Sequence, residues 1–352
     1  MREKFKYLIE ISIEEVSTII LFNDFVKYQG GGGREDCINI NCDRISLECE
    51  RTSLIDLDGV FQNYHSVMYA QIAKAVSFYI CATATIPRIN DIKICVERSG
   101  KLIEEKKIPS ADLKSHVNLV TPFTGVLSAV SLTAMFDESP KGSALLKAIS
   151  HLIRSKTKKD VFDRFDSLWK AYNAIYKIIG NGGTDHACHV ALRTFVLANP
   201  GASVFTSAIV AGMTAKELRK KLRWRYLILN DYEKSNKAVA FRDFVLRYTD
   251  ARIMKVFNEI LPYRKDFLAN AGLLPDVQNH ISSQLALNVC INRELVVLIC
   301  IKYMYFVRNK SAHGERLDRI IGLGNKETKE IGWLNEILES MIIDLINVNN
   351  VY

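Results

Sequence analysis

The sequence lacks the short motifs that identify several common enzyme classes. None of the eight cysteines among its 352 residues forms a Cys-x-x-Cys pair, and no Gly-x-Ser-x-Gly element occurs. The first absence removes the usual cysteine spacing of zinc and redox sites, and the second removes the nucleophile motif of α/β-hydrolases. Apart from Gly30-Gly31-Gly32-Gly33, the chain also lacks internal repeats and low-complexity tracts.

A long uninterrupted apolar run is missing as well. The longest run, Leu295 to Val307, contains Lys302 and is too short to cross a bilayer. The N-terminus is not followed by the apolar core and cleavage site of a signal peptide. Most cysteines lie in apolar segments, as Cys290 and Cys300 do, which indicates reduced and buried thiols. We therefore expect a cytoplasmic protein without membrane contact.

The composition that is present is ordinary for a folded protein. Apolar residues make up 48% of the chain and charged residues 24%, with a formal net charge of +8. The length predicts two domains, each large enough to bury a core. The positive charge favours an acidic partner such as nucleic acid, although a basic protein without such a partner has the same composition.

Residues 1–140 are predicted to form a mixed domain of strands and helices. Alternating apolar and polar residues predict strands over 5–12, 38–42, 45–49 and 92–96, and Val67 to Ala84 predicts one helix. The four glycines predict a hairpin or hinge loop. A phosphate-binding loop is less favoured, because no Lys-Ser/Thr pair follows them. The predicted fold class is α+β, with antiparallel strands followed by a helical bundle.

Residues 141–352 are predicted to be mainly helical. Apolar side chains recur at steps of three and four from Val161 to Ile179, with Asp160 suited to cap the helix start and Gly180 its end. Further helices are predicted over 185–197, 214–229, 238–260, 283–311 and 328–347.

A polar segment follows the apolar stripe of the helix predicted from Ser283. It reads Arg308-Asn309-Lys310-Ser311-Ala312-His313. At about 100° per residue, Asn309 and His313 lie about 40° apart, whereas Arg308 and His313 lie about 140° apart. The long arginine side chain, a loosened helix end before Gly314 or a second subunit must therefore bring Arg308 and His313 together.

These residue types suit RNA cleavage without a metal ion. Histidine can move the proton of the ribose 2′-hydroxyl, arginine binds phosphate through a planar fork, and asparagine can orient either group. A symmetric dimer would place two histidines at one phosphate, one as base and one as acid. The structural alternative is that Arg308 and His313 only interact with the last carbonyls and the dipole of the helix.

Two segments resemble the HEPN superfamily. The first is Arg308-Asn309-Lys310-Ser311-Ala312-His313-Gly314-Glu315, since the family motif has an arginine, often followed by a polar residue, four to six residues before a histidine. The second, Arg164 to Tyr176, is similar to the first long helix of larger HEPN proteins in its Leu168-Trp169 and Tyr172-Asn173 pairs. The first 140 residues have no comparable resemblance. The stretch between the two segments is longer than in minimal members of the family.

The resemblance implies a helical, dimeric endoribonuclease that needs neither metal nor cofactor. Arg308 would hold the scissile phosphate, His313 would transfer protons and Asn309 would support both. Family members act in antiviral defence, including abortive infection, and in toxin–antitoxin and RNA-processing systems. Members that have lost catalysis are RNA- or protein-binding or dimerisation modules, which gives the alternative function. The N-terminal domain would then bind a regulatory ligand or protein.

Two basic clusters lie outside the motif. RNA contact is predicted for the residues Arg219, Lys220, Lys221, Arg223, Trp224 and Arg225, with cations on the RNA backbone and Trp224 stacked on a base. The alternative is a solvated helix face with the leucines and Trp224 turned inward. The second cluster is predicted to be a linker or an exposed helix end, and comprises Arg154, Lys156, Lys158 and Lys159.

A metal-dependent enzyme is a third and less favoured interpretation. His186, Cys188 and His189 are potential zinc ligands, but they are crowded on one short stretch without a second pair at the usual spacing. The sequence therefore predicts no metal site.

Overall fold

A computed structural model gives the fold of the chain and describes residues 4–28, 32–113, 119–312 and 326–352. The chain divides into two compact units, one formed by Met1–Ile178 with Leu345–Tyr352 and the other by Ile179–Asp344. The predicted α+β class is confirmed, because an antiparallel sheet is followed by a mainly helical region. Residues 141–178 group with the sheet in this division, and the domain boundary near residue 140 stays a prediction.

The first unit contains one six-stranded antiparallel sheet. Its strands are β1 (Phe5–Ile13), β2 (Ile20–Lys27), β3 (Glu35–Asn41), β4 (Arg44–Arg51), β5 (Ile89–Arg98) and β6 (Lys101–Pro109), in the order β2-β3-β4-β1-β5-β6. The four predicted strands are confirmed. The edge strands β2 and β6 were not predicted, because Val26 is the single buried residue on β2 and β6 has none. A strand that buries so little carries no alternating pattern.

The glycine run lies between two paired strands, as a hairpin requires. Strands β2 and β3 pair antiparallel, with Lys27 opposite Glu35. Gly32 and Gly33 have φ angles of 59° and 84°, in the left-handed region that favours glycine. The other two glycines of the run, Gly30 and Gly31, lie outside the described residues.

Helices of the first unit cover part of the sheet and extend the core. They are α1 (Gly59–Gln62), α2 (Val67–Thr83), α3 (Ala129–Leu132), α4 (Pro140–Lys156) and α5 (Val161–Ile179). Helix α2 matches its prediction, begins at a Ser66 cap that accepts the N–H of Tyr69, and packs against β3, β4 and α4. Helix α5 begins as predicted, since the Asp160 carboxylate accepts the N–H groups of Phe162 and Asp163.

Among the described residues of the second unit, all regular secondary structure is helical. Its α-helices are α6 (Asp185–Ala198), α7 (Val204–Ala211), α8 (Ala215–Lys221), α9 (Trp224–Asp231), α10 (Ala238–Leu246), α11 (Ala251–Ile260), α12 (Lys265–Asn270), α13 (Leu274–Leu287), α14 (Asn292–Val297), α15 (Met304–Ala312) and α16 (Lys326–Asn347), whose end belongs to the first unit. A π-helical turn, Leu298–Tyr303, joins α14 to α15, and a 3-10 turn, Leu261–Arg264, follows α11.

Three of the predicted helices are interrupted. The segment 214–229 breaks between α8 and α9, and 238–260 breaks between α10 and α11. The helix predicted from Ser283 was wrong, because α13 ends at Leu287, the following Asn288 has a φ of 50° and α14 begins only at Asn292. The Asp250 carboxylate explains two of these breaks. It caps α11 through the N–H of Ile253 and also accepts the N–H of Ile291 at 2.6 Å.

Two further predictions concern membrane-spanning segments and the burial of the cysteines. Among the described residues, no single helix is both long and apolar enough to cross a membrane, and α6 with Pro200–Ala211 meets that test only as a pair bent by 109°. All eight cysteines are free. Cys290 is exposed, contrary to expectation, because it lies in the break before α14 rather than inside a helix.

Candidate active site

The candidate site lies at the end of the helical run formed by α14, the π-helical turn and α15. Side chains from Leu295 to Val307 are buried, apart from half-buried Lys302 and Tyr305. Turns of the π type occur mostly as single insertions in α-helices and are frequent at functional sites. The buried apolar side chains fix this run in the second unit. The polar motif begins at Arg308, where the side chains become half-buried.

Two of the three predicted catalytic residues are described, and they lie side by side. Arg308 and Asn309 are half-buried on α15, and the Arg308 guanidinium donates to the Asn309 amide oxygen at 3.1 Å. His313 lies outside the described residues, directly after Ala312 at the end of α15. The hydrogen bond holds the guanidinium beside a neutral amide, and the remaining N–H groups of an arginine in that setting can bind an anion.

One face of α15 combines the motif with an aromatic ring and a second histidine. Tyr305 precedes Arg308 by three positions and Asn309 by four, so the three side chains share this face. The His189 ring of α6 packs edge-on against Tyr305, with ring centroids 4.8 Å apart. From the sequence, His189 was a potential zinc ligand and not a neighbour of the motif. Its proximity to the motif helix is a tertiary contact that no local pattern signals.

A buried polar network lies on another side of the same run. The Tyr303 hydroxyl accepts the backbone N–H of Arg223 at 2.7 Å and donates to the Glu330 carboxylate, which lies 2.8 Å from the Arg223 guanidinium. Burial raises the pKa of Tyr303 and of Glu330 above their ordinary values. Because Tyr303 lies about 140° around the helix from Arg308, Arg223 approaches a different side of the helix from the motif.

The predicted RNA-binding residues separate into buried and exposed groups. Trp224 is 3% exposed, donates its indole N–H to the Leu218 carbonyl at 3.1 Å and packs edge-on against Phe257. Its ring is therefore out of reach of a stacking base, in contrast to the prediction. The apolar side of the segment points inward because Trp224, Leu227 and Ile228 follow one face of α9.

The exposed cations of the predicted segment have individual surroundings. Arg219 forms an ion pair with Glu259, and Lys220 is exposed. The Lys221 ammonium lies 4.7 Å from the Trp333 ring, and the Arg225 guanidinium lies 5.2 Å from the Tyr263 ring.

Several of these groups line an open groove of about 520 Å³, which we call the basic groove. Its exposed lining residues are Arg219, Arg225, Tyr226, Glu259, Tyr263 and Lys326, and the less exposed Leu222, Arg223, Trp224 and Ile260 complete the lining. Tyr226, Tyr263 and Lys326 were not among the predicted site residues. Tyr226 directly follows the predicted segment, whereas Tyr263 and Lys326 join the groove through tertiary structure alone.

The potential zinc ligands do not form a ligand set. Cys188 is buried and donates its thiol to the Gly183 carbonyl at 3.3 Å, while His186 is exposed. The described part of the chain contains no group of three or more His, Cys, Asp or Glu side chains able to hold a metal ion.

The second basic cluster differs in part from its prediction. Arg154 and Lys159 are exposed, and Lys158 is half-buried. Lys156, in contrast, is fully buried, donates to the Pro122 carbonyl and lies 5.1 Å from the Phe123 ring. The carbonyl and the ring compensate the buried ammonium, so Lys156 anchors the end of α4 rather than an exposed linker.

The first unit contains its own cavity, of about 680 Å³. Tyr28 lines it, together with Gln71 and Lys74 of α2 and with Glu138, which pairs with Lys74 at 2.8 Å. A regulatory ligand was predicted for the N-terminal domain, and this cavity offers a concave surface for one. The charges of Lys74 and Glu138 balance each other within it.

The upstream segment, Arg164 to Tyr176, forms most of α5 in the first unit. Its rings contact one another along the helix, with the Trp169 ring centroid 5.5 Å from that of Tyr172 and 6.3 Å from that of Tyr176.

Comparison of the chain with known proteins gives no match to a family model, to a curated sequence or to a solved structure.

Proposed function

We propose that the chain is a metal-independent endoribonuclease of the HEPN type, with Arg308, Asn309 and His313 as its catalytic residues. The observation that carries the proposal is the polar face of α15, where Arg308 and Asn309 are joined by a hydrogen bond beside Tyr305 and His189. The assignment to HEPN rests on the two sequence resemblances.

The proposed reaction is a transesterification at one RNA phosphate. His313 takes the proton of the 2′-hydroxyl, whose oxygen attacks phosphorus while the bond to the 5′-oxygen breaks. The leaving 5′-oxygen takes a proton from a second acid, which gives a 2′,3′-cyclic phosphate and a 5′-hydroxyl. The Arg308 fork binds the phosphate oxygens as charge develops on them, and Asn309 orients the guanidinium.

The second acid is the reason for proposing a homodimer. Two chains related by symmetry bring two copies of His313 to one phosphate, and the copies exchange the roles of acid and base. We place the protein in the cytoplasm and its biology in antiviral defence by abortive infection, or in a toxin–antitoxin system. Both follow from analogy with the family. The N-terminal region then serves as a sensor for a regulatory ligand or protein.

The test is cleavage of mixed RNA by the purified full chain in excess EDTA, with mapping of the new ends. We expect cyclic or 3′-phosphate ends and 5′-hydroxyl ends from the parent protein, and none from His313→Ala. Gel filtration of both proteins at matched concentration checks that loss of cleavage does not come from loss of the dimer.

The possible results separate the main alternatives. Equal cleavage by parent and His313→Ala would overturn the role of His313, and cleavage that EDTA abolishes would overturn the metal-free mechanism. RNA binding without cleavage by either protein would favour the non-catalytic binding module. Expression that is toxic for the parent but harmless for His313→Ala would identify an enzyme that is latent after purification.

A further inference from the structure

The basic groove presents two tyrosine rings among cations, which is the combination that binds unpaired nucleotides. Tyr226 is 66% exposed and Tyr263 is 43% exposed, and both line the groove. Each ring offers a flat surface on which a base can stack, and this interaction tolerates any base.

The rings are held by buried neighbours rather than by flexible loops. Tyr226 lies on α9, whose opposite side is fixed in the core by Trp224. Tyr263 lies in the 3-10 turn Leu261–Arg264, where buried Arg264 donates to the Ile228 and Leu229 carbonyls of α9 at 3.2 and 3.3 Å. The guanidinium therefore ties the turn that carries one ring to the helix that carries the other. Preorganised rings lose little conformational entropy when a ligand binds.

Charge in the groove favours a polyanion. Arg219, Arg225 and Lys326 are exposed cations that line it, and Glu259 is the acidic residue opposite Arg219. Arg225 lies against the Tyr263 ring, as arginine does when it extends an aromatic stack. Cations that track a phosphate backbone beside stacking rings define a binding site for a single strand.

We infer that the basic groove binds a single-stranded segment of the RNA substrate, with bases stacked on Tyr226 and Tyr263 and phosphates on Arg219, Arg225 and Lys326. Unpaired bases are required, because the faces of paired bases are covered by their neighbours in a duplex. The choice of RNA rests on the proposed function. None of the described residues that line the groove belongs to α15, so we assign the groove to selecting and holding the substrate and not to the chemistry.

The inference is tested by fluorescence anisotropy on the full-length His313→Ala protein, with a labelled single-stranded RNA of about 12 nucleotides and the matching duplex. We expect Tyr226→Leu and Tyr263→Leu each to weaken single-strand binding about tenfold, whereas Tyr226→Phe and Tyr263→Phe keep it. Glu259→Gln should tighten binding, because it releases Arg219 from its ion pair. Tyr64→Leu is the matched control, since Tyr64 is 70% exposed and lies in the first unit.

Several results would overturn the inference. These are an unchanged affinity in both leucine variants, equal affinity for duplex and single strand, and the absence of RNA binding by the His313→Ala protein. Because the protein used cannot cleave through His313, the result is independent of the nuclease test. If the groove variants lose binding while the parent protein does not cut RNA, the groove assignment stands and the nuclease proposal fails.

Discussion

Two arginines lie on different sides of the helical run that ends in α15, and they differ in their partners. On the Tyr303 side, Arg223 is compensated by the buried Glu330 carboxylate and held by the tyrosine hydroxyl. On the Tyr305 side, Arg308 is half-buried and bonded to the neutral amide of Asn309, with no ion-pair partner among the residues that the structure describes.

This difference separates a residue that maintains the fold from one that can bind a substrate. A buried ion pair adds little stability as a whole, but removal of one partner is costly because the other charge remains buried. An arginine that lacks a compensating carboxylate can instead give its full fork to a phosphate. Because their partners differ, we propose a structural role for Arg223 and substrate binding for Arg308.

The largest effect should come from removing Glu330, the buried partner of Arg223. We expect Glu330→Ala to lower the free energy of unfolding by about 3–5 kcal/mol, because it removes both the buried carboxylate beside Arg223 and the acceptor of the buried Tyr303 hydroxyl. Glu327, whose carboxylate lies 3.9 Å from Arg223 and is 31% exposed, provides the matched control. Glu327→Ala should cost less than about 1 kcal/mol. Denaturant unfolding measures both, and equal losses would contradict the assignment of Glu330 as the structural partner.

The second-largest effect should come from Arg308, on the Tyr305 side of α15. We expect Arg308→Ala to lower kcat for RNA cleavage by about 10²–10³-fold, the usual loss when a preorganised donor to a developing oxyanion is removed. Arg308→Lys keeps the charge but loses the planar fork, so it should recover only part of the activity. The free energy of unfolding should change little in either variant. A strongly destabilised Arg308→Ala protein would indicate that this side is also structural.

Much of the first unit follows from short-range patterns, whereas the candidate site depends on long-range contacts. Alternation predicts β1 because one face of that strand is buried, and the apolar segment from Val67 predicts α2. The same rules fail where apolar periodicity continues across a break. Leu222 and Trp224 are both buried although α8 ends at Lys221 and α9 begins at Trp224. A single Asp250 carboxylate accepts backbone N–H groups from two stretches that are remote along the chain.

The residues of the site illustrate the same limit. The motif itself is contiguous, so Arg308 and Asn309 can be selected from the sequence. His189 and Tyr263 reach their places through packing of helices that are remote along the chain. A local pattern also fixes the direction of a side chain poorly. Trp224 and Tyr226 are two positions apart, and helical geometry places one in the core and the other in the groove.

A smaller effect is expected from His189, which we regard as a positioning residue. Its ring packs against Tyr305, one turn before the motif, so it orients the face that carries Arg308. We expect His189→Phe to keep the ring contact and to change cleavage by less than about threefold, and His189→Ala to lower kcat by about tenfold, equivalent to about 1.4 kcal/mol. The pH profile of cleavage distinguishes this role from proton transfer. Loss of one limb of the profile in His189→Phe would identify His189 as an acid or base instead.

The smallest effect concerns Trp224, whose buried position separates packing from RNA binding. Trp224→Phe keeps most of the apolar contact with Phe257 but loses the indole N–H that donates to Leu218, which should lower the free energy of unfolding by about 1 kcal/mol. Single-strand RNA affinity should stay the same, because only 3% of Trp224 is exposed. Anisotropy and denaturant unfolding on the same preparation measure both quantities. Weaker RNA binding at unchanged stability would return Trp224 to the binding surface and require a rearrangement of α9 on binding.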